Sequence, residues 1–203
     1  MGKRGNELHD QILWAATDVF LEVGFERASM DVVAARAQTT KRTVYTRFEN
    51  KEKLFLAVIE MVRGLVLDGL SYPAQYAADP IEAVTLYCAR YLKLLRYQPA
   101  IQMCRVAIAE AARFPQGSAQ HFDALFVEIH SRLGDYLQTS FNLSEEAATD
   151  TARRLLGQLL YPGLLQVLYG VAPLAKSYDS TAPLTESEVA PVRRDVEAML
   201  KGL

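Results

Sequence analysis

Cysteine is nearly absent from this chain: Cys88 and Cys104 are the two in 203 residues, and they form no CxxC pair. A disulfide framework is therefore excluded. Both cysteines fall in apolar helical patterns, where a buried free thiol is the bland reading and a redox sensor the sharper one. Histidine is as scarce. His9, His121 and His130 stand at no ligand spacing from one another or from either cysteine, so no metal is expected. Ser118 and His121 are near in sequence but lack a nucleophile elbow, a glycine-rich loop or an acid–base pair beside them. No enzyme activity, no catalytic residue and no cofactor is expected. No alternating stretch marks a strand and no internal repeat appears, which leaves an all-α chain.

Two further absences bear on compartment. Leu155 to Ala175 carries no charge, yet Gly157, Pro162, Gly163, Gly170, Pro173, Gln158 and Gln166 interrupt it. A bilayer span needs about 20 predominantly apolar residues, so a helix buried on more than one side is the better account. The first residues, with Lys3 and Arg4, have no apolar core behind their charges and read as a short basic arm rather than a secretory signal. A cytoplasmic protein is expected, with no membrane partner.

There is also no global excess of positive charge, since the net charge is −2. The distribution is uneven, however. Arg36, Lys41, Arg42, Arg47, Lys51 and Lys53 face two acids, Glu49 and Glu52, within one short segment, which leaves it at +4 and the rest at −6. A local basic patch on a slightly acidic body orients a protein on phosphate without making it generally adhesive.

Helical periodicity accounts for most of what remains. Ile12, Leu13, Ala16, Val19, Phe20 and Val23 predict a helix stopped by Gly24, with Phe25 as an anchor after it. Ser29 caps a second helix to about Ala37, with Val32, Val33 and Ala37 inward. Thr40 caps a third, in which Val44 and Phe48 face a core while Lys41, Arg42, Thr43, Thr46 and Arg47 project outward. Asn50 caps a long helix to about Leu70, with Leu54, Phe55, Val58, Val62 and Leu65 on its buried side. Asp79–Pro80 starts a helix to about Tyr97, and Pro99 opens one that ends at Arg113. One continuous helix from about Ser118 to Ser140 follows, placing Phe122, Phe126, Ile129 and Leu133 on one face. Ser144 caps a long apolar helix over 145–170, kinked at Pro162. After a loop over 171–184 comes a last helix ending near 203, started either by a Thr185–Glu188 capping box or by Pro191.

Two short helices closely joined and followed by basic and hydroxyl side chains make a helix-turn-helix candidate. Here Ile12-Leu13-Trp14-Ala15-Ala16, Phe20, Gly24-Phe25, Ser29-Met30, Ala34, Ala37, Lys41, Thr43-Val44-Tyr45, Phe48, Lys51-Glu52 and Leu54-Phe55 resemble the N-terminal domain of TetR-type transcriptional regulators. The run Val106 to Pro115 is similar to the C-terminal domain of AefR-like members. The resemblance implies a three-helix helix-turn-helix domain over 1–53 and a helical effector-binding and dimerisation domain over 54–203, about nine helices in all. It implies a ligand-responsive regulator, a repressor released from a palindromic operator by a small molecule. Two departures stand out: Gln38 where the family usually has a turn glycine, and Arg42 where many members have glycine.

The expected DNA-contacting residues are Ser29, Thr39, Thr40, Lys41, Arg42, Thr43, Tyr45, Thr46 and Lys51. Arg42 suits guanine O6 and N7, Thr43 a thymine methyl or a hydrogen bond, the hydroxyls of Thr39, Tyr45 and Thr46 phosphate or base edges, and Lys41 and Lys51 phosphate. The minor groove is the expected target of Lys3 and Arg4. Tyr87, Tyr91, Met103, Phe126, His130 and Tyr161 are pocket candidates for a small apolar or amphipathic effector, with ordinary core packing as the bland alternative for each. Besides operator DNA, the expected partner is a second copy, docked through residues 145–170 and 191–203. The competing class is a helical lipid- or partner-binding module whose helix-turn-helix is vestigial, a reading that the missing turn glycine keeps open.

Overall fold

A computed structural model describes residues 3–201, with side chains from Asn6 onward, so the side chains of Lys3 and Arg4, which the sequence offers as a basic arm, lie outside those described. Those residues form helices α1 (Lys3–Arg27), α2 (Met30–Arg36), α3 (Lys41–Phe48), α4 (Lys51–Asp68), α5 (Pro80–Leu94) and α6 (Gln98–Ala109). Then come α7 (Pro115–Phe122), a π-helical turn (Asp123–Val127), α8 (Glu128–Ser140), α9 (Glu145–Leu160), α10 (Gly163–Leu168) and α11 (Glu186–Leu200). Among the described residues there is no strand, only one isolated bridge between Tyr97 and Ala175. None of their helices is long and apolar enough to cross a membrane.

Local chemistry sets most boundaries. Gly24, at φ 76°, breaks the helical path inside α1, a conformation that costs glycine little. Ser29, Thr40, Asn50, Asp79 and Ser144 each accept a backbone N–H three residues on, as good N-caps do. The ambiguous last helix starts with the capping box: Glu188 Oε2 accepts from the Thr185 backbone N–H at 2.7 Å, and Pro191 lies inside α11. The expected continuous helix to Ser140 is instead two helices joined through the π turn. Phe122, expected on the inward face, is exposed just before this turn.

The chain divides into two compact units, one of residues 1–65 with 102–121, the other of 66–101 with 122–203. The first unit thus exceeds the expected 1–53, because a stretch far along the chain packs into it. Phe114, in the turn before α7, sets its ring 4.7 Å from that of Phe25 and 5.4 Å from that of Phe55, an edge-on aromatic cluster with Phe20. Met103 is buried in the same core. Gly117 lets α7 approach α4 closely, since a Cβ there would meet Leu56 Cδ2 at 2.8 Å. Two inward expectations fail in this unit: Val32 and Leu65 are about half exposed.

The second unit is built on α5, whose Ala83, Val84, Tyr87, Cys88, Tyr91 and Leu94 are buried. The Tyr87 hydroxyl donates to the Ile129 carbonyl at 3.0 Å and the Tyr91 hydroxyl to the Leu125 carbonyl at 2.6 Å. Both tyrosines are thereby satisfied against α8 and the π turn. α11 buries Val189, Val192, Val196 and Leu200 and is tied to α5 by Arg193, which donates twice to the Glu82 carboxylate.

Candidate nucleic-acid interface and ligand clefts

α3 is anchored by two residues, Val44 and Phe48, and presents the rest of its surface. The Phe48 ring stacks on His9 of α1 at 5.0 Å. Thr40 Oγ accepts from the Thr43 N–H at 3.1 Å and lies 2.9 Å from Thr43 Oγ, so both hydroxyls fix the start of the helix. Thr46 donates its hydroxyl to the Arg42 carbonyl at 2.8 Å. Lys41 pairs with Asp31 at 2.8 Å and sits over the Tyr45 ring; the carboxylate, first through its hydrogen bond, pushes the Lys41 ammonium above its usual value. Arg42 and Tyr45 are exposed. Among the described residues Arg42 has no side-chain partner.

The turn before α3 answers the question raised by Gln38. Gln38 takes φ 48°, the left-handed conformation that glycine usually supplies. Its N–H donates to the Ala35 carbonyl and that of Thr39 to the Ala34 carbonyl, the paired bonds of a Schellman end to α2. Gln11 adds a hydrogen bond from α1 to the Ala37 carbonyl at 3.0 Å. The turn is therefore intact without glycine, and Gln11, unnoticed in the sequence, is part of the reason. No short-range signal marks a contact across 26 residues.

Lys51 is engaged within its own unit. Its ammonium donates to the carbonyls of Phe25, Glu26 and Ala28 at 2.8, 3.1 and 3.1 Å and lies 4.3 Å from the Phe25 ring centre. Three donors are all that an ammonium has, so in this arrangement none is left for phosphate. The rest of the basic segment is also largely paired. Arg36 makes a bidentate contact with Glu22 at 2.7 Å, and the Lys53 ammonium donates a single bond to the Glu49 carboxylate. Such exposed pairs are weak and exchangeable. Arg42 and Arg47 remain as the cations of the segment with no partner among the described residues.

The pocket candidates do not come together. Tyr87, Tyr91 and Met103 are fully buried core side chains, the last in the first unit, and Tyr161 is 71% exposed. Phe126 and His130 do line a cleft of about 450 Å³, with Phe122, Val127, Asp135 and Arg153. A second cleft of about 420 Å³ lies between α5, α9–α10 and α11; no residue expected in the pocket lines it. Burial pushes both Cys88 and Cys104 up to about 12, which holds them as thiols. Among the described residues no group of three or more histidine, cysteine or acidic side chains could hold a metal ion.

The arrangement defines a class: an all-helical protein with a capped helix-turn-helix near its start. The profile of bacterial regulatory proteins of the TetR family matches residues 12–58, and that of the C-terminal domain of AefR-like transcriptional repressors matches 82–168. The chain belongs to the TetR family. It is 40% identical over 63 residues to the transcriptional activator FasR of Mycolicibacterium smegmatis, 29% of each chain. It is 38% identical over 60 residues to the transcriptional repressor TetR of Mycobacteroides abscessus, 30% of this chain and 32% of that one. Both matches span under a third of the relative's length. A TetR-family regulator from Mesorhizobium loti has the same fold, with a TM-score of 0.82 and 23% identity over 99% of this chain and 98% of that one.

Proposed function

We propose that this protein is a homodimeric, ligand-responsive repressor, in which α3 of each copy lies in the major groove at one half of a palindromic operator. The observation that carries this reading is the exposed and unpaired Arg42 guanidinium on a helix whose start is fixed by Thr40 and Thr43. A rigid helix with a free fork of donors is what bidentate recognition of guanine requires. Ser29, Thr39, Lys41 and Tyr45 serve phosphate, with Lys41 exchanging Asp31 for the DNA backbone. The two relatives above carry opposite names, an activator and a repressor, and the match over 82–168 to a domain described from a repressor favours repression here.

Dimerisation is assigned to the uncharged segment around α10. Tyr161, Leu165, Tyr169 and Val171 are 71, 47, 82 and 75% exposed, an apolar surface that a second copy would cover. α11 contributes less than its sequence implies, because its valines are spent against its own unit. The reading domain comprises residues 1–53 with its later packing partners, and the effector enters the second unit.

The test is binding to duplex DNA from upstream of the protein's own gene, measured by fluorescence anisotropy across a salt series. Arg42→Ala should cost roughly 1–3 kcal/mol on the preferred sequence and little on random duplex. Absence of salt-dependent binding to any duplex by the folded wild type would leave the vestigial, partner-binding reading in its place.

A further inference from the structure

We propose that the cleft between α5, α9–α10 and α11 binds a small amphipathic monoanion, held by Arg96 through its charge and by leucines through its apolar body. The proposal rests on the ligand-responsive reading above and names the class of the ligand. The cleft encloses about 420 Å³, within the lower range of small-molecule sites. Leu92, Leu95, Leu159, Leu160, Leu164 and Val192 are among its lining residues, and they favour a hydrocarbon or aromatic body by removing it from water.

Charge selects the ligand's head. Lys93 and Glu188, both on the lining, pair with each other at 3.0 Å and so answer one another. Arg96 is exposed at the same cleft and has no side-chain partner among the described residues. One cation is left over, and a planar guanidinium fits a carboxylate with two parallel hydrogen bonds. A cationic ligand would meet repulsion, while a neutral one would leave the guanidinium to water.

The backbone behind Arg96 is held in place. The Ala175 N–H donates to the Arg96 carbonyl and the Gln98 N–H to the Ala175 carbonyl, each at 2.8 Å. Ala175 itself lines the cleft, so the loop after α10 forms a fixed wall. That loop is further secured by Arg90, which donates to the carbonyls of Asp179 and Ala182. A recess walled by four helices and a pinned loop suits a small molecule. A second copy is better matched by the outward row of Leu165 and Tyr169, since Leu164 and Val167 turn into the cleft.

Calorimetric titration of the full chain without DNA tests this, with decanoate, decanol and decyltrimethylammonium as probes. Decanoate should bind at least about tenfold more tightly than decanol, and the cation should give no saturable heat. Arg96→Gln should bring decanoate down to the affinity of decanol at unchanged helicity, and Leu160→Trp should fill the cleft and abolish both. Equal affinity for decanoate and decanol, or decanoate binding unchanged in Arg96→Gln or in Leu160→Trp, would overturn the proposal. So would absence of decanoate heat from the folded wild type, or a shift of Leu160→Trp to monomer on sedimentation, which would give the cleft to a second copy. Anisotropy on the operator separates the two readings. DNA binding without decanoate binding sinks the site alone; decanoate binding that leaves DNA affinity unchanged keeps the site and sinks the ligand response.

Discussion

α3 and α10 are both short helices held by a thin buried seam, and they turn opposite chemistry outward. α3 buries Val44 and Phe48 and exposes Lys41, Arg42, Tyr45 and Thr46. α10 buries Val167 and, with its flanks, exposes Tyr161, Leu165, Tyr169 and Val171. Neither surface is needed to fold its own unit. A surface of donors whose Arg42 and Arg47 guanidinium groups have no partner among the described residues suits phosphate and base edges, whereas an uncharged aromatic surface suits a protein partner. The contrast assigns the two faces different partners, and substitution can break each assignment separately.

The largest effect is expected at α10. Leu165→Glu sets a charge in the centre of the apolar surface without touching the buried Val167. It should weaken the dimer by roughly 2 kcal/mol or more, as loss of an interface hot spot does, and shift sedimentation to monomer at unchanged helicity. A wild type that already sediments as a monomer would remove the dimer from the account. Leu159 and Leu164 are poorer sites because they line the cleft between α5, α9–α10 and α11.

Lys51 comes next and separates folding from DNA contact within the first unit. Lys51→Met deletes three charge-assisted bonds to the carbonyls that follow the Gly24 break. Allowing for partial exposure, the loss should be about 2 kcal/mol in chemical denaturation. DNA affinity of the folded fraction should change little. An unchanged denaturation midpoint with weakened binding to all duplexes would restore the phosphate role that the sequence suggests.

Lys51 also shows why part of the site was illegible. The N-caps at Ser29, Thr40, Asn50, Asp79 and Ser144 were readable because each acts within three residues. So was Arg42, whose distinction is that nothing packs on it. The partners of Lys51, Arg36 and Gln11 lie 14 to 26 residues away, and no local pattern encodes them. The π turn was hidden for a similar reason: it bears the Leu125 carbonyl, which the Tyr91 hydroxyl of α5 reaches across the second unit. Tyr87 and Tyr91, offered as pocket walls, are therefore core residues. Aromatic composition does not distinguish a lined cavity from a filled one.

A smaller, pH-dependent effect is expected from His121, buried in the first unit with Nε2 3.5 Å from Cys104 Sγ and Nδ1 without a partner. Burial lowers its pKa to about 4, below the ordinary imidazole value of about 6.5. The unfolded chain therefore binds the proton more readily between those values. Stability should be full above about pH 6.5 and fall by up to about 1 kcal/mol per pH unit on acidification toward 4. His121→Leu should flatten this slope in denaturation series at several pH values, since an apolar group of similar size leaves no orphaned nitrogen. An unchanged slope would place the acid sensitivity elsewhere.

The smallest effect concerns the turn that positions α3. Gln38 at φ 48° bears a left-handed strain on the order of 1 kcal/mol. Gln38→Gly relieves it but gives the unfolded chain more freedom, so the net gain should be a few tenths of a kcal/mol. The Gln38 side chain is exposed and its backbone bonds are those any residue would make there. Stability should then rise slightly with base preference unchanged. If Gln38→Gly instead relaxes base preference, as Arg42→Ala should, the side chain at this turn reads DNA. The strain would then be retained for specificity, and the contrast between α3 and α10 would extend one residue pair earlier, into the turn itself.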